Sequence, residues 1–425
     1  MQYLLKDGRL IDPVTGRDEK TDIHIVDGKL ERIGQGIGAH TAQVIELGGK
    51  VVAPGFIDMH VHLREPGFEY KETILSGATA AAAGGFTAVC CMPNTNPSID
   101  DASVIRYIQE KAHQALGGLI DVHVIGAVTK ERKGEKLSPL AELAEAGALA
   151  FTDDGEPIYD AEIMRRALEY AAMFHKPVIQ HAQDLSMTRG GAMNEGFVAT
   201  VLGLPGMPSC AEEVIIARDI LLMAYTGGEY HVAHMSTAGS TEMVRQAKAR
   251  GFRVTAEVTP HHVALTDEAV RSFDTNTKMN PPLRTAEDVE ALRRGLKDGT
   301  IDVIASDHAP HSFDEKQVEY QQAPFGIVGL ETSIGLVITE LVDKGVLTLK
   351  QMIEKMSTNP RRILHLPEIR VAEGEEANLT IFDPEHEWVV DPGMFKSKSR
   401  NTPFGGRKLS GKAIGVLNHC EVYWA

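Results

Sequence analysis

The sequence predicts an α/β protein: a (β/α)8 TIM barrel joined to a small composite β-sandwich domain built from both ends of the chain. Three observations predict it. Strand-length apolar runs alternate with helix-period segments eight times through the middle of the chain. Histidine and aspartate collect at the ends of those runs. The two chain ends carry short strand patterns that neither end could bury alone.

Residues 1–52 read as short strands with tight turns. Asp7-Gly8 and Asp27-Gly28 are hairpin-type dipeptides, set among apolar residues such as Ile23, Ile25 and Leu30. Gly34-Gln35-Gly36-Ile37-Gly38 has the glycine content of a phosphate loop, but no strand-to-helix turn follows, so it reads as a plain loop. The eight apolar runs then fall at 56–61, 87–91, 122–125, 148–151, 178–180, 231–233, 253–258 and 303–305. Helical periodicity fills the intervals, for example at 161–174 and 211–225. The quiet stretch 77–92 contains a helix end at Gly84-Gly85. From about residue 366 the strand pattern returns, at 379–382 and 387–390. The division expected is 1–52 with 366–425 as the β domain, and 53–365 as the barrel.

Composition narrows the function classes. A formal charge of −16 over 425 residues argues against nucleic acid or an anionic membrane as the main partner. No basic and then apolar leader opens the chain, and no run of about 20 apolar residues could span a bilayer. The four cysteines, Cys90, Cys91, Cys210 and Cys420, form no CxxC pair. They read as reduced, mostly buried residues of an intracellular protein, and a cytoplasmic location is expected.

The chemistry lies at the strand ends. His60 and His62 stand two apart on one strand, so both imidazoles face one side. The fourth run ends in Asp153-Asp154-Gly155, the fifth in His181, the sixth in His234 and the eighth in Asp307. A lone HxH pair or a single histidine is more often a satisfied core residue than a ligand. Here five of eight predicted strands end in a metal-ligand residue, all on the face where barrel active sites occur. Nitrogen and oxygen donors of this kind suit zinc. His123, His175 and the His261-His262 pair read as structural, the last pair lying close to the site.

The motifs carry a resemblance. Pro54-Gly55-Phe56-Ile57-Asp58-Met59-His60-Val61-His62 resembles the opening motif of the amidohydrolase superfamily, and Leu63-Arg64-Glu65-Pro66-Gly67 is similar to its dihydroorotase branch. So are Met92-Pro93-Asn94-Thr95 and the stretches 277–284, 304–311 and 325–332. This resemblance implies two Zn2+ ions per subunit, one held by His60 and His62 and the other by His181 and His234. An aspartate would bridge them where hydantoinases use a carboxylated lysine; Asp154 is favoured and Asp153 is the alternative. Asp307 would be catalytic and would touch the first zinc. His62, Arg64, Asn94, Asn280, His311, Phe325 and Gly326 correspond to substrate-binding positions.

The implied reaction is the reversible closure of N-carbamoyl-L-aspartate to L-dihydroorotate, within pyrimidine biosynthesis. Asp307 would move the proton between water and the ring nitrogen. Arg64, two residues beyond the second ligand histidine, is suited to hold the free carboxylate through paired hydrogen bonds; the alternative is an ion pair with Glu65 or Glu69. The rival readings are another cyclic amidohydrolase, acting on hydantoin, dihydropyrimidine or allantoin, and a non-catalytic subunit of an aspartate transcarbamoylase complex. A homodimer and association with aspartate transcarbamoylase remain open. The stretch 309–326 reads as a long loop over the site.

Overall fold

The computed structural model describes residues 2–38 and 41–425; Met1 and residues 39–40 of the expected β domain lie outside the described residues. Five strands open the chain: β1 (Gln2–Asp12), β2 (Arg17–Val26), β3 (Lys29–Gly34), β4 (Gln43–Glu46) and β5 (Val51–Pro54). Barrel strands β6 (Phe56–Val61), β7 (Phe86–Cys91), β8 (Asp121–Ala127), β9 (Ala148–Thr152) and β10 (Val178–Gln180) follow. A short side ladder, β11 (Met193–Asn194) with β12 (Gly206–Met207), precedes β13 (Tyr230–Val232), β14 (Val254–Val258) and β15 (Val303–Ile304). The chain ends with β16 (Leu379–Val389), β17 (Lys408–Asn418) and β18 (Glu421–Trp424).

The eight strands from β6 to β15, without the side ladder, pair in parallel and in sequence order. Each predicted run lands on one of them to within a few residues. The ring joins at a single parallel bridge, Val61 to His308, where His62 N–H donates to His308 O at 2.8 Å. One apolar cluster takes residues from nearly every strand, including Ile57, Met59, Ala88, Cys90, Ile125, Ala150, Ile179, Ala233 and Val303; such a cluster fills the barrel interior. A larger one joins strands to the surrounding helices.

The helices form where the sequence provides both a cap and a stripe. Asp160 accepts the N–H groups of Glu162 and Ile163, and helix Ala161–Ala172 buries Met164, Ala167, Leu168 and Ala171 on one face. Helix Ile74–Gly84 begins with a reciprocal Thr73/Ser76 cap and stops at left-handed Gly85, φ 88°.

Both chain ends enter one eight-stranded sheet, ordered β18-β17-β16-β5-β1-β2-β3 with β4 branching from β1. The joint is β16 against β5, Leu379 opposite Pro54 through Phe382 opposite Val51. Strand β5 therefore belongs to this sheet, and a division at 52/53 passes through it. Its own core holds Tyr3, Leu5, Ile23, Ile25, Leu30, Val371, Leu379 and Ile381.

Asp27-Gly28 makes the expected hairpin between β2 and β3. Asp7-Gly8 does not: it lies inside β1 as a bulge, with Asp7 at φ 58°. The bulge lets Tyr3–Lys6 pair with β4 and Arg9–Leu10 with β5, so one strand serves two neighbours on the same edge. All four cysteines are free, but only Cys90 and Cys91 are buried; Cys210 and Cys420 are exposed.

Candidate metal centre and active site

The strand ends bring the six predicted side chains to one rim. The two oxygens of Asp154, just past β9, divide them. Oδ2 faces His60 Nε2 at 3.3 Å and His62 Nε2 at 3.5 Å. Oδ1 faces His234 Nε2 at 3.3 Å and His181 Nδ1 at 3.4 Å. Asp307 Oδ1 lies 3.1 Å from His62 Nε2 and 3.6 Å from His60 Nε2. Donor atoms of His60, His62 and Asp307, and likewise of His60, Asp154 and His234, lie within 4.8 Å of one another. Asp153 points elsewhere: its carboxylate takes the Thr129 N–H at 2.9 Å and the Thr129 hydroxyl at 2.5 Å.

The ring nitrogens turned away from Asp154 decide what the facing ones can do. His60 Nδ1 meets Glu257 Oε1 at 2.5 Å, His62 Nδ1 meets Asn94 Oδ1 at 2.8 Å, and His181 Nε2 meets Gln183 Oε1 at 2.9 Å. An imidazole that donates outward to an oxygen keeps a lone pair inward. At His60 and His62 the inward lone pairs then confront carboxylate oxygens, an arrangement of acceptors against acceptors that a cation between them would satisfy; at His181 the outward nitrogen also lies 3.1 Å from the Asn280 amide. This donor set and its outer oxygen partners fit zinc. Without a cation, protons carry the balance. Burial opposes charge at both His60 and Asp154, yet their mutual attraction, with Glu257, raises His60 well above the ordinary histidine range and holds Asp154 well below the carboxylate range.

Beside this cluster lies a cavity of about 330 Å³ lined by His62, Arg64, Asn94, Asp154, Asn280, Asp307, His311, Phe325 and Gly326, among others. Every substrate-contacting residue expected from the sequence borders it. Arg64 is buried, in a left-handed conformation at φ 65°, and its Nε donates to Pro310 O at 3.1 Å. Burial lowers its pKa to about 10, against the pull of Asp307 and Glu315, so it stays a cation at neutral pH. The alternative ion pairs do not form. Glu65 accepts the Ile74 N–H and pairs with Lys111, and Glu69 accepts the Gly67 N–H.

His311 Nε2 lies 2.8 Å from Phe325 O and 3.5 Å from an Arg64 nitrogen. Burial, then Arg64, lowers its pKa to about 2, so it is neutral. Asn280 donates to Gln183 Oε1 at 2.7 Å beside His181. The Gly326 N–H is taken by Lys278 O at 2.9 Å. The loop above carries a short helix, Phe313–Lys316. Of the histidine pair read as structural, His262 is held between Thr259 and Pro281 O. His261 Nε2 is buried without a hydrogen-bond partner among the described residues.

Sequence reasoning missed Glu257, a buried acid inside the barrel strand β14, and Asn401, which contacts Ala309, His311 and Gly326 from far along the chain. The first left a signal, because a carboxylate in a buried parallel strand needs a partner. The second left none.

Comparison with known proteins agrees with this geometry. The family model described as Dihydro-orotase-like matches residues 49–240. A dihydroorotase of Pelotomaculum thermopropionicum is 56% identical over 411 residues, covering 97% of this chain and 96% of that one. Another, of Syntrophotalea carbinolica, is 52% identical with coverages of 98% and 97%. Among solved structures, an L-hydantoinase (dihydropyrimidinase) from Arthrobacter aurescens superposes with a TM-score of 0.87 at 25% identity, covering 99% of this chain and 95% of that one. A dihydropyrimidinase from Brevibacillus agri shares the fold with a TM-score of 0.85. With strand order, rim chemistry and full-length similarity in agreement, the chain belongs to the dihydroorotase family.

Proposed function

We propose that this protein is a zinc-dependent dihydroorotase, which closes N-carbamoyl-L-aspartate to L-dihydroorotate with release of water, and reopens it, in pyrimidine biosynthesis. The observation that carries the reading is Arg64: a buried cation without a carboxylate partner among the described residues, at the mouth of a cavity beside six ligand-type side chains. A buried guanidinium in that state suits an anionic group on the ligand. Hydantoin, dihydropyrimidine and allantoin rings lack that carboxylate, which disfavours them although hydantoinases share the fold.

In this reading His60 and His62 would hold one zinc and His181 and His234 the other, with Asp154 shared between them. When bound, zinc supplies a water of lowered pKa and a Lewis acid for an amide carbonyl. Asp307 does the proton work. Burial alone would raise its pKa, but the facing imidazoles of His62 and His60 outweigh it and hold the carboxylate below its ordinary range. It is therefore ionised and can take the proton of the attacking water in ring opening, then deliver it to the leaving ring nitrogen. In ring closure the same carboxyl, protonated, donates as water leaves. Arg64, with Asn94 and the His311–Phe325 corner, fixes the substrate carboxylate and so the register of the amide over Asp307.

The proposed partition is 1–52 with 366–425 against 53–365; the separate cores of the terminal sheet and the barrel support two units, with the first boundary shifting to the end of β5. Among the described residues no helix is long and apolar enough to cross a membrane. With four free cysteines, this supports a cytoplasmic setting. The decisive experiment compares turnover of dihydroorotate, hydantoin and allantoin at fixed zinc. Preference for dihydroorotate is expected, and preference for either of the others overturns the substrate assignment.

A further inference from the structure

The loop 309–326 leaves and re-enters the rim as two adjacent legs. Its neck is zipped by the His308–Ile327 bridge and by the Ala309 N–H donating to Ile327 O at 2.7 Å. A third partner sits across the neck. Asn401, between β16 and β17, is 5% exposed, and its amide is fully used. Nδ2 donates to Ala309 O at 3.0 Å and to Gly326 O at 3.1 Å, one carbonyl on each leg. Oδ1 accepts the His311 N–H at 3.1 Å, and the Asn401 carbonyl accepts the Val328 N–H at 2.9 Å.

The segment bearing Asn401 is anchored independently of the loop. Lys396 and Ser397 give their N–H groups to Glu331, Lys398 gives its own to Glu72, and the Ser399 hydroxyl donates to Lys71 O. A short primary amide is suited to this post, because it gives two N–H groups to two carbonyls while accepting a third. The legs have little slack. Gly326 sits at φ 122°, where a Cβ would come within 2.7 Å of Ala309 Cβ.

We propose that Asn401 is a positioning residue for substrate binding. It clasps both legs of the 309–326 loop at the spacing that keeps His311 and Phe325 beside Arg64, so the terminal β domain sets the geometry of the carboxylate pocket. The proposal rests on the dihydroorotase reading, and its test separates the two. Holoenzyme carrying Asn401→Ala or the isosteric Asn401→Asp is compared with wild type. The readouts are kcat and KM for dihydroorotate, zinc content, and hydrogen exchange over 309–328.

Asn401→Asp keeps the acceptor for His311 N–H but turns a second acceptor toward two carbonyls. It carries the test if the alanine variant does not fold. The expected result is KM raised about tenfold or more with kcat within about threefold, since ground-state binding is lost while the rim chemistry stands. Zinc content should match wild type, and exchange should quicken over 309–328. Unchanged KM together with unchanged loop exchange in a folded variant overturns the clasp. Failure of the underlying reading shows instead in the wild type, as absence of dihydroorotate turnover.

Discussion

His60 turns its Nδ1 to Glu257 Oε1 at 2.5 Å, so an imidazole at the end of β6 is aimed by a carboxylate inside β14. The same oxygen accepts the His234 N–H at 3.2 Å, and Oε2 lies 3.3 Å from His231 Nε2. One side chain thereby braces a member of each histidine pair. Glu257→Gln should weaken zinc retention by about ten- to a hundredfold, the usual cost of removing such a support. Chelator competition measures it, and wild-type retention would take Glu257 out of this role.

Arg64→Ala should cost dihydroorotate binding about 2–3 kcal/mol, a hundredfold or so in kcat/KM, because a charge-assisted pair of hydrogen bonds is lost. Arg64→Lys restores charge without the planar fork and should recover only part. Zinc content stays normal in both. Metal loss in either variant would mean that Arg64 supports the rim rather than the substrate.

Asp307→Asn should lower kcat by about a hundredfold or more while the fold persists, since a carboxamide cannot shuttle a proton. Steady-state kinetics with metal analysis reads it. A near wild-type rate with full zinc would reassign the proton step.

The neighbouring aspartates should separate cleanly. Asp154→Asn removes charge from the point where four imidazoles converge and should sharply reduce zinc affinity. Asp153→Asn loosens the two hydrogen bonds from Thr129 and should leave zinc binding within about threefold of wild type. Parallel zinc titrations decide; equal effects would dissolve the distinction.

His262 supplies a pH signature. Its Nε2–H donates to Pro281 O and its Nδ1 accepts from the Thr259 hydroxyl, a neutral ring with both nitrogens used. Burial lowers its pKa from 6.5 to about 3. The unfolded chain therefore binds a proton that the folded chain refuses, and stability is full above 6.5 and is lost as pH falls toward 3. Between pH 7 and 5 this amounts to about 2 kcal/mol. Urea unfolding of wild type and His262→Gln at both values checks it: the variant should show a smaller loss by that amount.

Much of this was legible in the sequence because it is local. A run such as Val178–Gln180 announces a buried strand by its own composition, and His60-Val61-His62 places two imidazoles on one side by the two-residue period alone. The sequence favours Asp154 over Asp153 only by its place before Gly155; the physical reason is three-dimensional, Thr129 claiming the Asp153 carboxylate and leaving that of Asp154 to the histidines. Asn401 works at 75 and 92 residues' separation from Gly326 and Ala309, and no periodicity records such a pairing. Asp7-Gly8 misled because a bulge and a hairpin turn both accept a left-handed aspartate, Asp7 at φ 58° in the one and Asp27 at φ 47° in the other; which one forms depends on where β4 and β5 lie.

The single bridge between Val61 and His308 is where the ring of strands closes, and its two residues adjoin His62 and Asp307 in the sequence. Completing the cylinder and assembling the catalytic rim are therefore one event: a chain whose last strand has not docked has neither. Mass action makes the connection reciprocal. Any ion that draws those two side chains together adds its binding free energy to the weakest seam of the cylinder, so the loaded enzyme should outlast the empty one against heat and denaturant.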